Sequence, residues 1–145
     1  MAGLVATAEI EIAASPSAVW QALTDPDRIK QYFLGAIVET DWRPGSTITW
    51  SGEYNGHPFQ DRGTVLDVQP QTLLAMTHFS PMTGQPDVPE NYHTITYRLA
   101  ETAGGTRLSL SQDNNPSADA VEHSRNTWQN MLEALKYLLE SEKAA

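Results

Sequence analysis

A chain of 145 residues with nine basic and eighteen acidic side chains has a formal charge of −9 and an isoelectric point near 4.7. Such a field repels phosphate backbones and the anionic faces of membranes, which argues against nucleic acid as a partner. Cysteine is absent, so there are no disulfides, thiolate nucleophiles or cysteine-based zinc sites, and packing alone must hold the fold.

The length suits one domain over residues 1–145, and a domain of this size buries roughly 70% of the surface its unfolded chain exposes. The N-terminus lacks a basic start and soon meets Glu9 and Glu11, unlike a signal peptide. No apolar run approaches the roughly 20 residues that cross a bilayer, so a soluble, cytoplasmic protein is expected.

From Val5 to Ile12, Ala8, Ile10 and Ile12 alternate with Glu9 and Glu11, the period of a strand with one buried face. Two helix starts follow in succession. Ser15 before Pro16 and Asp25 before Pro26 each offer a capping oxygen ahead of the residue that loses nothing at the first helical position. The first helix carries Val19, Trp20 and Leu23; the second ends in Ile29, Tyr32, Phe33 and Leu34, closed by Gly35.

The middle of the chain reads as a meander. Strands are predicted near 36–41, 46–54, 58–69 and 72–80, with Asn55-Gly56 as the strongest hairpin signal. Gly104-Gly105 joins 92–101 to 106–112 as a further hairpin. Between them, residues 81–91 form a long loop with three prolines. From Ser117 onward, Val121, Trp128, Met131, Leu132, Leu135, Leu138 and Leu139 make a helical stripe, capped by Asn115 or Ser117. These are the parts of an α+β domain in which a curved antiparallel sheet of about six or seven strands wraps a long C-terminal helix.

Period-two reading turns Ile48, Trp50, Gly52 and Tyr54 inward, with Ile95, Tyr97, Leu99, Leu108, Leu110 and Gln112. In 58–69, Leu66 and Val68 are taken as inward, which places Arg62 near a cavity mouth, where its guanidinium could pair with a ligand carboxylate; the competing reading is an exposed strand-end arginine. The inward face of 72–80 stays open between Met76 with His78 and Leu73 with Ala75, Thr77 and Phe79. Of four histidines, none has metal-ligand spacing, and His57 is expected at the surface. His78, if inward, could act as a general base or hydrogen-bond a ligand. Asp61, Asp67, Glu53 and Asp113 read as solubilising carboxylates on wet faces.

The chain resembles the helix-grip, START-like superfamily of polyketide cyclases, lipid-transfer domains and pollen allergens. Within it, the nearest likeness is to bacterial homologues of the C-terminal domain of the heat-shock-protein-90 ATPase activator. The carriers are Ser15-Pro16-x-x-Val19-Trp20-x-x-Leu23-Thr24-Asp25-Pro26, Gly63-Thr-Val65-x-x-Val68-x-Pro70 and Leu73-Leu74. They continue in Ile95-Thr-Tyr97-x-Leu99, Gly105-Thr106-x-Leu108 and Trp128-x-x-Met131-Leu132-x-x-Leu135. Where members often have tryptophans, this chain has Tyr32-Phe33 and Thr77-His78.

The resemblance implies an apolar cavity under the long helix. Its expected walls are Tyr32, Phe33, Trp50, Tyr54, Met76, Tyr97, Trp128, Met131 and Leu135, with Arg62, His78 or Gln112 as polar handles. The expected function is binding of an apolar, aromatic or lipid-like small molecule without cofactor or metal. Two other classes stand beside it: a cavity enzyme of the cyclase or dehydratase kind, with His78 as its acid–base residue, and a chaperone-interacting protein. The eukaryotic activator uses a separate N-terminal domain that this chain lacks, which weakens the chaperone reading. An outer face or edge strand could support a homodimer, although no seam is visible.

Overall fold

The computed structural model describes residues 3–144, with the side chains of Tyr54, Lys143 and Ala144 outside that description. The strands are β1 (Leu4–Ile12), β2 (Ile37–Glu39), β3 (Thr47–Tyr54), β4 (His57–Gln69), β5 (Leu73–His78), β6 (His93–Thr102) and β7 (Gly105–Asn115). The helices are α1 (Pro16–Thr24), α2 (Pro26–Tyr32) and α3 (Ala118–Ala144). All seven strands form one antiparallel sheet in the order β1-β7-β6-β5-β4-β3-β2, with α3 packed on β1 and β7: an α+β helix-grip fold.

Local chemistry sets the element boundaries. The Ser15 hydroxyl accepts from the Ala18 N–H at 3.2 Å, and the Asp25 carboxylate accepts from Asp27 N–H at 3.0 Å, so both starts read from the sequence are real caps. For α3 the cap is Ser117, whose hydroxyl accepts from Ala120 N–H. At 27 residues that helix is about 40 Å long at 1.5 Å per residue. The proline-rich connection holds two single turns of 3-10 helix, Pro81–Thr83 and Pro89–Asn91.

Cross-strand register assembles the inner face in rows. Val65 pairs with Met76, Met76 with Ile95, Ile95 with Gln112 and Gln112 with Ala6. The next row runs Val68, Leu74, Tyr97, Leu110 and Ala8. Against these pack Val19, Ile29, Leu132, Leu135 and Leu139 from the helices. Of the residues assigned inward on β3, β6 and β7, Ile48, Trp50, Ile95, Tyr97, Leu99, Leu108, Leu110 and Gln112 are all buried.

In β4 the inward reading of Leu66 is corrected. A bulge lies between Val65 and Asp67, and one extra residue turns every following side chain to the other face. Val68 is therefore inward as expected, but before the bulge Asp61, Gly63 and Val65 face the core and Leu66 is exposed. On β5, Leu74, Met76 and His78 take the inner face. Phe79, on the outer side, is buried under Tyr92, the two rings stacked at 5.2 Å.

The free margin of β1 is occupied by α3. Gln129 donates to the Glu9 carbonyl and Lys136 to the Glu11 carbonyl, while the Glu140 carboxylate accepts from Ala13 N–H. Edge strands otherwise present a row of unpaired backbone groups.

Candidate functional site

The side chains with chemical potential gather at one end of the inner face. The two-residue turn at Asn55-Gly56 pairs Tyr54 with His57 and, further along the same register, Trp50 with Asp61. His78 reaches this point from β5: its Nε2 lies 2.8 Å from Asp61 Oδ2, and its ring meets Trp50 edge-on with centroids 4.9 Å apart. Because the carboxylate only accepts, Nε2 carries the proton and a neutral ring presents Nδ1 as an acceptor. Asp61 Oδ1 is buried without a hydrogen bond, the one side-chain atom so placed among the described residues.

A separate polar network ties the end of β7 to α3. The Trp128 indole N–H donates to Gln112 Oε1, Gln112 Nε2 approaches Asn115 Oδ1 at 3.5 Å, and the Ser124 hydroxyl donates to the same Asn115 oxygen. Asn115 Nδ2 in turn donates to the Gln112 and Leu4 carbonyls, so this short network is closed on itself. Beside it opens a polar cavity of about 430 Å³ walled by Glu90, His93, Gln112, Asn115, His123 and Ser124. His93 is the cross-strand neighbour of His78.

Between α2 and α3 lies a second opening of about 300 Å³, walled by Tyr32, Phe33, Leu34, Trp128, Met131 and Ala134. Phe33 meets Trp128 in an edge-to-face contact at 5.8 Å. Trp128 thus joins the two openings, lining the apolar one while bonded to a wall of the polar one. Leu34 and Gly35, at the corner after α2, both have left-handed backbone, with φ of 51° and 71°. For leucine that conformation is strained.

The expected site residues divide accordingly. Tyr32, Phe33, Trp128 and Met131 come together around the apolar groove, and Trp50, Met76, His78, Tyr97 and Gln112 lie on the inner face. Tyr54 falls outside the described side chains. Arg62 is corrected as a cavity residue, and its other reading as an exposed arginine holds: it points away from the inner face, half exposed, and pairs with Asp87 at 3.1 Å, because its parity is opposite to that of Asp61 and Val65. Leu135 is also corrected, since with no exposed surface it belongs to the filled core and lines no opening. His57 is at the surface, as expected.

The wet-face expectation for Asp61 is overturned, and the sequence carries the signal, because counting back from the Asn55-Gly56 turn pairs Asp61 with inward Trp50. The Asn115–Ser124 link had no such signal, because it depends on how α3 meets the end of β7. Among the described residues no three histidine or acidic side chains converge as a metal would need.

Burial raises the pKa of the Tyr32 phenol well above 10.0, and burial likewise raises that of Tyr97; the Tyr32 hydroxyl donates to the Ala22 carbonyl at 2.8 Å. The folded state therefore holds these protons more tightly than the unfolded chain. Their contribution to stability is intact below about pH 10 and is lost as pH rises through the folded-state values. Urea midpoints should fall steadily above pH 10, with two tyrosines ionising only as the chain unfolds, as read by tyrosinate absorbance.

An antiparallel sheet folded on one long helix, open at an end lined by aromatic and polar side chains, defines the helix-grip class. The chain belongs to the Activator of Hsp90 ATPase homolog 1-like protein family, whose model matches residues 13–140. Its structure is similar to the solution structure of ChR145 from Cytophaga hutchinsonii, with 41% identity, a TM-score of 0.87, and 100% and 99% of the two chains covered. It is also similar in fold to the Aha1 dimer from Colwellia psychrerythraea, at 24% identity and a TM-score of 0.74 over 94% and 96% of the chains. CalU16 from Micromonospora echinospora shares the fold at 23% identity and a TM-score of 0.70, over 93% of this chain and 72% of that one. No curated protein matches the chain.

Proposed function

We propose that this protein binds an apolar or aromatic small molecule at the open end of the grip, taking it in between α2 and α3. The observation that carries this reading is the groove of about 300 Å³ walled by Phe33, Trp128 and Met131, an apolar concavity with placed polar groups close by. Titration with a fluorescent fatty acid or a flat aromatic dye should quench tryptophan emission. Phe33→Ser should weaken binding by about tenfold, or about 1.4 kcal/mol. Tryptophan emission unmoved by every probe would count against the reading.

A second reading, a cavity enzyme of the cyclase or dehydratase kind, is favoured by one observation: His78 lies inside with an aligned carboxylate partner. Self-association joins the first reading because the Colwellia relative is described as a dimer; native mass spectrometry measures it directly. Contact with a chaperone is supported only by the family's description, and an unchanged heat-shock-protein-90 ATPase rate would remove it.

A further inference from the structure

We propose that the polar cavity at the start of α3 is a second binding site, separate from the apolar groove, and that it takes a small organic ammonium ion carrying hydroxyl groups, an amino sugar by chemical class. The inference is independent of the reading that the groove binds an apolar molecule.

The walls are tied in place. One of them is the proline-rich connection between β5 and β6, which Asn114 clamps to the end of β7: its Nδ2 donates to the Glu90 carbonyl at 2.8 Å and to the Tyr92 carbonyl at 2.9 Å. The connection is also closed on itself, since Asn91 Nδ2 donates to the Pro86 carbonyl at 2.8 Å. Opposite stand His123 and Ser124 of α3. The space of about 430 Å³ between them falls within the range of roughly 300–1,000 Å³ usual for small-molecule sites.

The hydrogen bonds already made decide what the walls have left to offer. Asn91 and Asn114 spend amide hydrogens on carbonyls, so each keeps its Oδ1 as an unspent acceptor. His93 Nδ1 lies 2.8 Å from the Asp113 carbonyl oxygen, which only accepts, so the neutral ring carries its proton there and keeps a lone pair on Nε2. The Glu90 carboxylate, exposed at the rim, makes no ion pair or hydrogen bond with the described residues. Among the described residues neither lysine nor arginine lines the cavity. The site is rich in acceptors and holds a carboxylate without a cation.

A ligand that satisfies such walls must bring donors. An ammonium group brings three together with a positive charge, and its bonds to a carboxylate are about twice as strong as neutral ones. It cannot reach every acceptor in a space of this size, so hydroxyls beside it must supply the amide oxygens. They can also accept from Gln112 Nε2, whose bond to Asn115 Oδ1 is long at 3.5 Å. A carboxylate or phosphate would set lone pairs against lone pairs, and an apolar body would desolvate the acceptors without pairing them. A metal ion finds no set of three histidine or acidic ligands among the described residues. The first turn of α3 does not oppose a cation, because Ser117 caps the Ala120 N–H and Asp119 stands in that turn.

Calorimetric titration with glucosamine and with glucose, a sugar of the same size without the charge, tests the assignment. Glucosamine should bind about tenfold more tightly than glucose. Glu90→Gln keeps the shape of an exposed side chain and removes its charge; it should weaken glucosamine about threefold and leave glucose unchanged. Glu133→Gln, an exposed carboxylate of α3 outside the cavity, should alter neither. In NMR of the wild type, glucosamine should shift the side-chain amides of Asn91 and Asn114 and the Nε2 signal of His93. Equal affinity for the two sugars, or equal losses in the Glu90 and Glu133 variants, overturns the proposal. Displacement of the apolar dye by glucosamine would show that the two openings are one site and overturn it as well. If neither sugar binds while the dye does, this inference falls and the groove reading stands.

Discussion

Replacing Gly63 with alanine should destabilise the protein by about 3 kcal/mol or more, beyond what most single substitutions cost. The reason is not backbone freedom, since Gly63 is not one of the left-handed glycines. A Cβ at this position would lie 1.8 Å from the Thr77 carbonyl oxygen, far inside contact distance and against backbone that no rotamer change can move. Here β4 approaches β5 so closely that Thr64 N–H reaches the Thr77 hydroxyl at 2.9 Å. Alanine must push the strands apart, and Asp61 and His78 flank the point where they part. A lowered urea midpoint should therefore come with a changed His78 ring signal in NMR. A variant as stable as the wild type would show that the two strands separate at little cost.

Leu135→Ala should cost 2–5 kcal/mol, the range for deleting a fully buried leucine side chain from a core that closes only partly around the void. Leu135 has no exposed surface and packs at the centre of the cluster that includes Leu108, Leu110 and Leu132. Met131, one helical turn earlier, has a little exposed surface and lines the groove. Met131→Ala should thus lower dye affinity with a smaller loss of stability, whereas Leu135→Ala should do the reverse. Comparing urea midpoints with dye titrations for the two variants separates core from wall along a single helix face. Equal losses of stability and equal losses of affinity would mean that the helix presents no such division.

Much of this architecture was legible because it is written in local chemistry. Ser15-Pro16 and Asp25-Pro26 mark helix starts, Asn55-Gly56 fixes a hairpin, and the stripe from Val121 to Leu139 has a single period. What escaped was set by long-range geometry. A bulge after Val65 inverted Leu66, and period-two reasoning carries no warning of an inserted residue. The same shift of parity reads Arg62 as inward and Asp61 as outward, which hides the partner of His78. An apolar helix face looks alike whether it borders a void or fills one, so by pattern alone Leu135 reads as cavity wall. Only burial distinguishes the two.

The fastening of α3 along β1 limits how far that helix can lift from the sheet. Gln129, Lys136 and Glu140 engage three successive outward backbone groups, at Glu9, Glu11 and Ala13, so lifting that part of the helix would strip a sheet edge and invite strand-to-strand sticking. The helix is a seam rather than a door. Across the groove from that seam, α2 ends and the chain turns through two consecutive left-handed residues, Leu34 and Gly35. A leucine 79% exposed, in a conformation it disfavours, stands at that corner beside the groove. The grip is thus fastened along its back, while the corner of the groove carries backbone strain.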